Sequence, residues 1–313
     1  MISLLLPVIL SCLLSTVFAA PAPILTKRDN SQATTAVSDA TIDGDFVRPA
    51  QFSRIAYCST QAVTSWQCGE PCAAVGNVTF LQAGGGDGLI PMYFIAHDQD
   101  TQTIVVAHQG TDPENILSIA NDAQFLLTDL NTTLFPQAGQ GVQVHDGFQK
   151  TFERTADGVL SGVQNALSST GATKVLVTGH SLGAAIATMD AVMLKMNLDP
   201  SISLTSTVFG LPRGGDQSWA DLVNSNLGTS FTHITNQNDP VPTVPPEFLG
   251  YQHPQGEVHI VSANATGATQ TVACPGTEND NCSDGNSLLH VDVANHLGPY
   301  FQNISLSSKA CPF

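Results

Sequence analysis

The residues best suited to do chemistry lie in one short run, Gly179-His180-Ser181-Leu182-Gly183. A serine with glycine two residues before and two after it is the pattern of a nucleophile held on a tight strand-to-helix turn. Such a turn crowds its own flanks, so both flanking positions need a residue without Cβ. The apolar run Val175-Leu176-Val177 reads as a strand covered on both faces. The Ala-, Met- and Leu-rich stretch from Ala184 to Leu194 reads as a helix. Ser181 is therefore expected at the apex of the turn, above the carboxyl ends of the strands. The amide of Leu182, at the start of the helix, is expected to point where a negative oxygen would develop. A five-residue pattern can match by chance, and the strand before it and helix after it give the match its weight.

A serine nucleophile needs a base and a carboxylate to orient that base. On a strand–turn–helix of this kind the chain order is Ser, then Asp or Glu, then His. Asp239 fits the second role, because it follows the apolar strand Phe231 to Thr235 and Pro240 then forces a turn. Asp190 and Asp199 lie on or just after the nucleophile's helix, and Asp216 and Asp221 on a surface helix. The histidines beyond Asp239 are His253, in a Pro-flanked loop, His259, inside a strand, and His290 and His296, both ahead of the terminal segment. Physics alone does not separate the last two. His180 is expected to point away from the nucleophile, and His108 and His145 to pack or support. Thr111, after Gly110 at a strand end, could offer an amide and a hydroxyl to an oxyanion.

These groups must be positioned by alternating strands and helices. Asp29 to Val47 reads as an irregular or weakly helical lead-in. Ala50 to Ser59 reads as a helix, and Trp66 to Ala74 as a loop clipped by Cys68 and Cys72. Residues 90–96 and 103–107 form a predicted hairpin turning at His97 to Asp100. Pro113 to Leu127 carries Ile116, Ile119, Ala120 and Ala123 at helical spacing with Leu117 at the edge, which fits a surface helix or a lid. Val144 to Phe148 precedes a helix through Leu167. Leu204 to Phe209 is a further strand, and residues 258–261 and 269–273 a late antiparallel pair. The pattern predicts one α/β domain with a mainly parallel central sheet.

The 313 residues, 42% hydrophobic, suffice for one large domain or two small ones. A formal net charge of −16 argues against nucleic acid or an anionic membrane as partner. Residues 1–20 are almost wholly apolar and end in Val17-Phe18-Ala19-Ala20, as a signal peptide does, although no Lys or Arg opens the run. Pro7 and the missing basic flank weigh against a membrane anchor, and none is expected in the mature chain. Residues 21–28 end in Lys27-Arg28 and read as a pro-segment, leaving residues 29–313 as the mature domain. Once Cys12 leaves with the signal, Cys58, Cys68, Cys72, Cys274, Cys282 and Cys311 form an even set, as expected for disulfides in an exported chain. No His stands at ligand spacing from a Cys pair, so no metal is expected. Asn77, Asn131, Asn264, Asn281 and Asn303 head Asn-x-Ser/Thr sequons and are candidates for glycans.

Taken together, Gly179 to Gly183, the strand end from Val105 to Thr111, Val144 to Phe148, Asn238-Asp239-Pro240 and His296 through Phe301 resemble the secreted fungal class 3 lipases of the α/β-hydrolase fold. The resemblance covers roughly Ala50 to the C-terminus. It implies a triad of Ser181, Asp239 and His296, oxyanion amides from Thr111 and Leu182, and a short helical lid just after Thr111. It also implies the pairings Cys58–Cys311, Cys68–Cys72 and Cys274–Cys282. Two features depart from the family pattern. His108-Gln109-Gly110 stands where Phe-Arg-Gly is usual, and the lid stretch has no Trp.

The expected chemistry is hydrolysis of a carboxylic ester through an acyl-enzyme, with acylglycerol at an oil–water interface as substrate and no cofactor. A monomer is expected. The rival readings are an esterase for soluble or plant-wall phenolic esters and a catalytically silent binding protein.

Overall fold

The computed structural model describes residues 30–86, 90–111, 125–286 and 290–311. The expected signal peptide and pro-segment, and the lid residues Ile116, Leu117, Ile119, Ala120 and Ala123, lie outside the described residues.

In chain order the strands are β1 (Thr35–Ala36), β2 (Val78–Gly84), β3 (Tyr93–Asp98), β4 (Thr103–His108), β5 (Leu127–Asp129), β6 (Gln143–His145), β7 (Lys174–His180), β8 (Ser203–Phe209), β9 (Gly215–Asp216), β10 (Phe231–Asn236), β11 (Tyr251–Gln252), β12 (Glu257–Ala263) and β13 (Thr269–Cys274). The helices that matter for the site are α1 (Val47–Ile55), α2 (Asp146–Glu153), α3 (Ala156–Thr170), α4 (Leu182–Asn197), α5 (Gln217–Leu227) and α6 (Val293–Leu297). A nine-stranded sheet runs β1-β13-β12-β10-β8-β7-β4-β3-β2. Its middle, from β4 through β7, β8 and β10 to β12, is parallel, and both margins are antiparallel.

The sheet is buried on both faces, which is why its middle strands read as continuous apolar runs. Along β4 the alternation of side chains sends Ile104 and Val106 to the layer of α2, α3, α4 and α5. Val105 and Ala107 go to the opposite layer, beside Phe52 and Ile55 of α1 and the Cys68–Cys72 clip. Helix α4 is the hub. Every residue from Gly183 to Leu194 is buried, as an all-round apolar helix must be.

Several expectations need correction. The β3–β4 turn lies two residues later than predicted, at residues 99–102. Asp98 still pairs with Thr103 and accepts from Arg48, Thr101 Oγ1 and the Asp100 amide, so it ends the strand and organises the turn. The lead-in is irregular as far as Ser38 apart from β1, and then a π-helical turn at Ile42–Phe46 feeds α1, which stops at Ile55 rather than Ser59. The helix predicted to run from Pro113 to Leu127 does not reach its end, because Leu127 opens β5. The long helix after Val144 is two helices, α2 and α3, the second closed by Gly171 at φ 72°. A second, four-stranded sheet, β11-β9-β6-β5, was not foreseen. Its strands of two or three residues are too short to show a period.

The three disulfides pair as the resemblance implies, Cys58–Cys311, Cys68–Cys72 and Cys274–Cys282. Asn77, Asn264, Asn281 and Asn303 are exposed, and Asn131 is half-buried. Among the described residues no helix is long and apolar enough to cross a membrane.

Candidate active site

Ser181 caps α4 in a backbone conformation that side-chain-bearing residues rarely take, φ 60° and ψ −129°. Its amide donates to the Phe209 carbonyl on β8 (3.0 Å), which holds the turn over the sheet. The flanking glycines are required by contact. A Cβ on Gly179 would lie 2.3 Å from the Gly183 carbonyl oxygen, and one on Gly183 would lie 2.6 Å from the carbonyl oxygens of both His108 and Gln109. The turn is thus wedged against the end of β4.

The residues expected as acid and base come from separate segments, Asp239 from the loop after β10 and His296 from α6. Asp239 follows β10. Its Oδ1 accepts from the Val241 amide (2.8 Å), and its Oδ2 lies 2.8 Å from His296 Nδ1. A carboxylate only accepts, so His296 Nδ1 carries the proton and its Nε2 is left with a lone pair. The segment bearing His296 is tied to the β10 loop by Asn236 Nδ2, which donates to the carbonyls of Asn295 (2.8 Å) and Pro299 (3.2 Å). Ser181 and His296 are 0% exposed and Asp239 1%. Ser181 Oγ and His296 Nε2 are both buried without a hydrogen-bond partner among the described residues. A hydroxyl and an imidazole lone pair left open in this way are equipped for proton transfer on approach of a substrate. His290 is exposed, and His253 and His259 are bonded elsewhere, to the Pro242 carbonyl and Thr235 Oγ1.

Leu182 is the first residue of α4, so no intrahelical carbonyl takes its amide. Thr111 follows Gly110, where an added Cβ would sit 3.0 Å from Ser181 Cβ and 2.3 Å from Tyr57 Oη. The β4 end that leads to Thr111 is therefore packed directly on the serine. A cavity of about 220 Å³ opens alongside, bounded by Leu182, Phe148, Phe125, Pro212, Val244 and Pro245. Its walls are largely apolar, as an acyl chain requires.

His180 does not bond the Ser181 hydroxyl; its ring packs instead against the His296 segment. Its ring lies 4.4 Å from that of His296, with Nε2 2.8 Å from the His296 carbonyl oxygen and Nδ1 2.6 Å from Tyr57 Oη. The carbonyl can only accept, so Nε2 donates and Nδ1 accepts from the tyrosine. Burial, and then the neighbouring His296, hold the His180 pKa well below its ordinary value, so the ring is neutral. Tyr300 Oη also donates to the His296 carbonyl (3.1 Å). Gly210, at φ 54°, completes the housing: a Cβ there would lie 2.8 Å from His296 Cε1. Sequence reasoning missed Tyr57, Tyr300 and Gly210. Only Gly210, a glycine directly after an apolar strand, left a signal.

His145 caps α2 through the Phe148 amide and lines the cavity. Two clusters could be mistaken for metal sites. Glu247, Glu278 and Asp284 converge, but Arg213 already lies between the last two. Glu257 meets Cys274 and Cys282, which are joined as a disulfide.

The family model for lipase (class 3) matches residues 105–249, a span holding the serine turn and Asp239. A secreted mono- and diacylglycerol lipase of Malassezia globosa is 32% identical over 266 residues, covering 83% of this chain and 84% of that protein. Another secreted mono- and diacylglycerol lipase, from Malassezia restricta, is 31% identical over 229 residues, 73% and 71% of the two. Among solved structures, lipase II from Rhizopus niveus superposes with TM-score 0.76 at 25% identity, over 88% of this chain and 99% of that one. The lipase of Rhizopus microsporus var. chinensis gives 0.76 at 28% identity, over 89% and 94%.

Proposed function

This chain belongs to the class 3 lipase family, and from that membership we propose how its own residues cleave an acylglycerol ester. It is a secreted carboxylic ester hydrolase of the α/β-hydrolase fold, acting on acylglycerols. Ser181 Oγ is the nucleophile and attacks the ester carbonyl. His296 Nε2 takes the serine proton and returns it to the departing alcohol, and then activates the water that releases the acid. Asp239 keeps the proton on Nδ1 and stabilises the imidazolium. The amides of Thr111 and Leu182 receive the negative oxygen, and the apolar cavity beside Leu182 takes the acyl chain. The enzyme works as a monomer at the oil–water interface.

The observation that carries this reading is the buried His296–Asp239 contact of 2.8 Å, with His296 Nε2 and Ser181 Oγ left unpaired. Acylglycerol is preferred over a phenolic ester because the relatives named above are acylglycerol lipases.

Purified protein should hydrolyse tri-, di- or monoacylglycerol emulsions well ahead of methyl ferulate. Ser181→Ala and His296→Ala should each cut turnover by on the order of 10⁴ while the fold survives. His290→Ala should leave most of it. A folded Ser181→Ala protein with near-normal turnover would refute the assignment, and a ferulate preference would refute the substrate.

A further inference from the structure

We propose that the buried His108–Asp190 contact is the positioning element of the oxyanion hole, fixing the end of β4 that leads into Thr111 against the helix that starts at Leu182. The proposal rests on the roles given above to Ser181, Thr111 and Leu182. His108 is the last residue of β4, and its Nε2 lies 2.6 Å from Asp190 Oδ2, with side-chain exposures of 2% and 0%. Asp190 is the lone charged residue in the buried stretch Gly183 to Leu194 of α4. It sits about two turns beyond Leu182.

A carboxyl in that setting is costly. Burial pushes its pKa up and His108 opposes the rise. Well-packed apolar residues would serve a purely structural purpose as well or better. The surroundings show what the pair gives in return. Gly183 lies so close to the His108 and Gln109 carbonyls that an added Cβ would be 2.6 Å from each. The two backbone segments that present the Thr111 and Leu182 amides therefore touch, and the side-chain contact behind them sets how they meet. Tyr93 of β3 stacks on the His108 ring at 5.6 Å. Gln109 is anchored separately, donating its amide to the Met92 carbonyl (2.8 Å) and accepting from the Met92 amide at Oε1 (3.1 Å). The two residues that replace Phe-Arg in the family pattern thus fasten the oxyanion strand on both sides, His108 to the nucleophile helix and Gln109 to Met92, the residue that precedes β3.

The test uses the purified chain with p-nitrophenyl butyrate, a soluble ester, and the variants Asp190→Asn and His108→Phe/Asp190→Leu. Both are expected to fold, to keep KM within about twofold, and to lose kcat by on the order of tenfold to hundredfold. Affinity for an alkyl trifluoromethyl ketone should fall by the same factor, because its hemiketal oxygen occupies the oxyanion position. The double variant refills the core with apolar groups, so a merely structural pair would leave its kcat intact. Wild-type kcat and ketone affinity in either folded variant overturns the proposal. Should both variants misfold, the pair holds the fold rather than the oxyanion hole, and the proposal falls as well. A wild-type chain that neither cleaves the ester nor is labelled at Ser181 by an organophosphonate would instead overturn the assignment of the nucleophile.

Discussion

His180 Nε2 donates to the backbone carbonyl of His296 across 2.8 Å, so the residue beside the proposed nucleophile holds the proposed base from behind. The ring receives Tyr57 Oη on its other nitrogen, and the hydrogen bonds run in one direction, tyrosine to His180 to His296. Removing the donor leaves the buried His296 carbonyl with the longer Tyr300 hydrogen bond and takes one acceptor from Tyr57 Oη. His180→Phe is expected to cost about 1–3 kcal/mol of stability and to lower kcat by on the order of tenfold or more, with KM little changed. Denaturant titration and steady-state kinetics on a soluble ester check both. An unchanged kcat in the folded variant would show that His180 only packs.

Gly210 gives the base its room. Its φ of 54° already disfavours a side chain, and a Cβ would stand 2.8 Å from His296 Cε1 and 2.9 Å from Nδ1. Gly210→Ala should therefore move the imidazole and cut kcat by on the order of a hundredfold, while stability falls by only about 1–2 kcal/mol. Kinetics beside a thermal melt separate the two effects.

Acid should weaken the fold through two stacked histidines. His233 and His253 lie 5.1 Å apart, each with Nε2 on a proline carbonyl. Burial holds His233 down to about 4 and His253 well below its ordinary value, with His233 and Arg213 adding to the shift of the latter. The sign follows directly. Between the unfolded value near 6.5 and about 4, the unfolded chain binds a proton at His233 and the folded chain does not. Stability is fully present above about pH 6.5 and is lost as pH falls toward about 4, by on the order of 1 kcal/mol per pH unit for each such histidine. Asp190 and Glu257, raised chiefly by burial, act with the opposite sign. The telling comparison is thus His233→Gln against wild type in denaturant titrations from about pH 7 to about pH 4.5, where the variant should show the flatter dependence.

The disulfides should differ in worth. Cys58–Cys311 spans 253 residues and clamps the chain end beside Tyr57, whereas Cys68–Cys72 spans 4. In a chain-entropy account the long loop stabilises more. Replacing Cys58 and Cys311 by Ser should cost roughly 2–5 kcal/mol. Replacing Cys68 and Cys72 should cost clearly less, and thermal melts of the two double variants would show a reversed ranking if the account fails.

Much of the site was legible because it is local. The serine turn is written in five consecutive residues, since a turn this tight dictates its own glycines and takes its strand and helix from immediate neighbours. Asp239 was legible for a related reason, as a carboxylate held between a strand end and a proline. The apolar runs of β4, β7, β8 and β10 announced a sheet covered on both faces. The choice of His296 over His290 was another matter, because both precede the same terminal segment and composition treats them alike. It followed from family resemblance, and only the fold displays the physical difference: His296 buried on Asp239, His290 at the surface. The same holds for Tyr57, Tyr300, Gly210 and the partner of His108. The sequence placed Asp190 on the helix after Ser181, yet the residue 82 positions earlier that meets it was not visible. Hydrophobic period and turn chemistry act within a few residues, so the chain could specify its elements and its serine turn by itself. The contacts around His296 and at the end of β4 join segments far apart in sequence, and only close packing of the folded chain decides them.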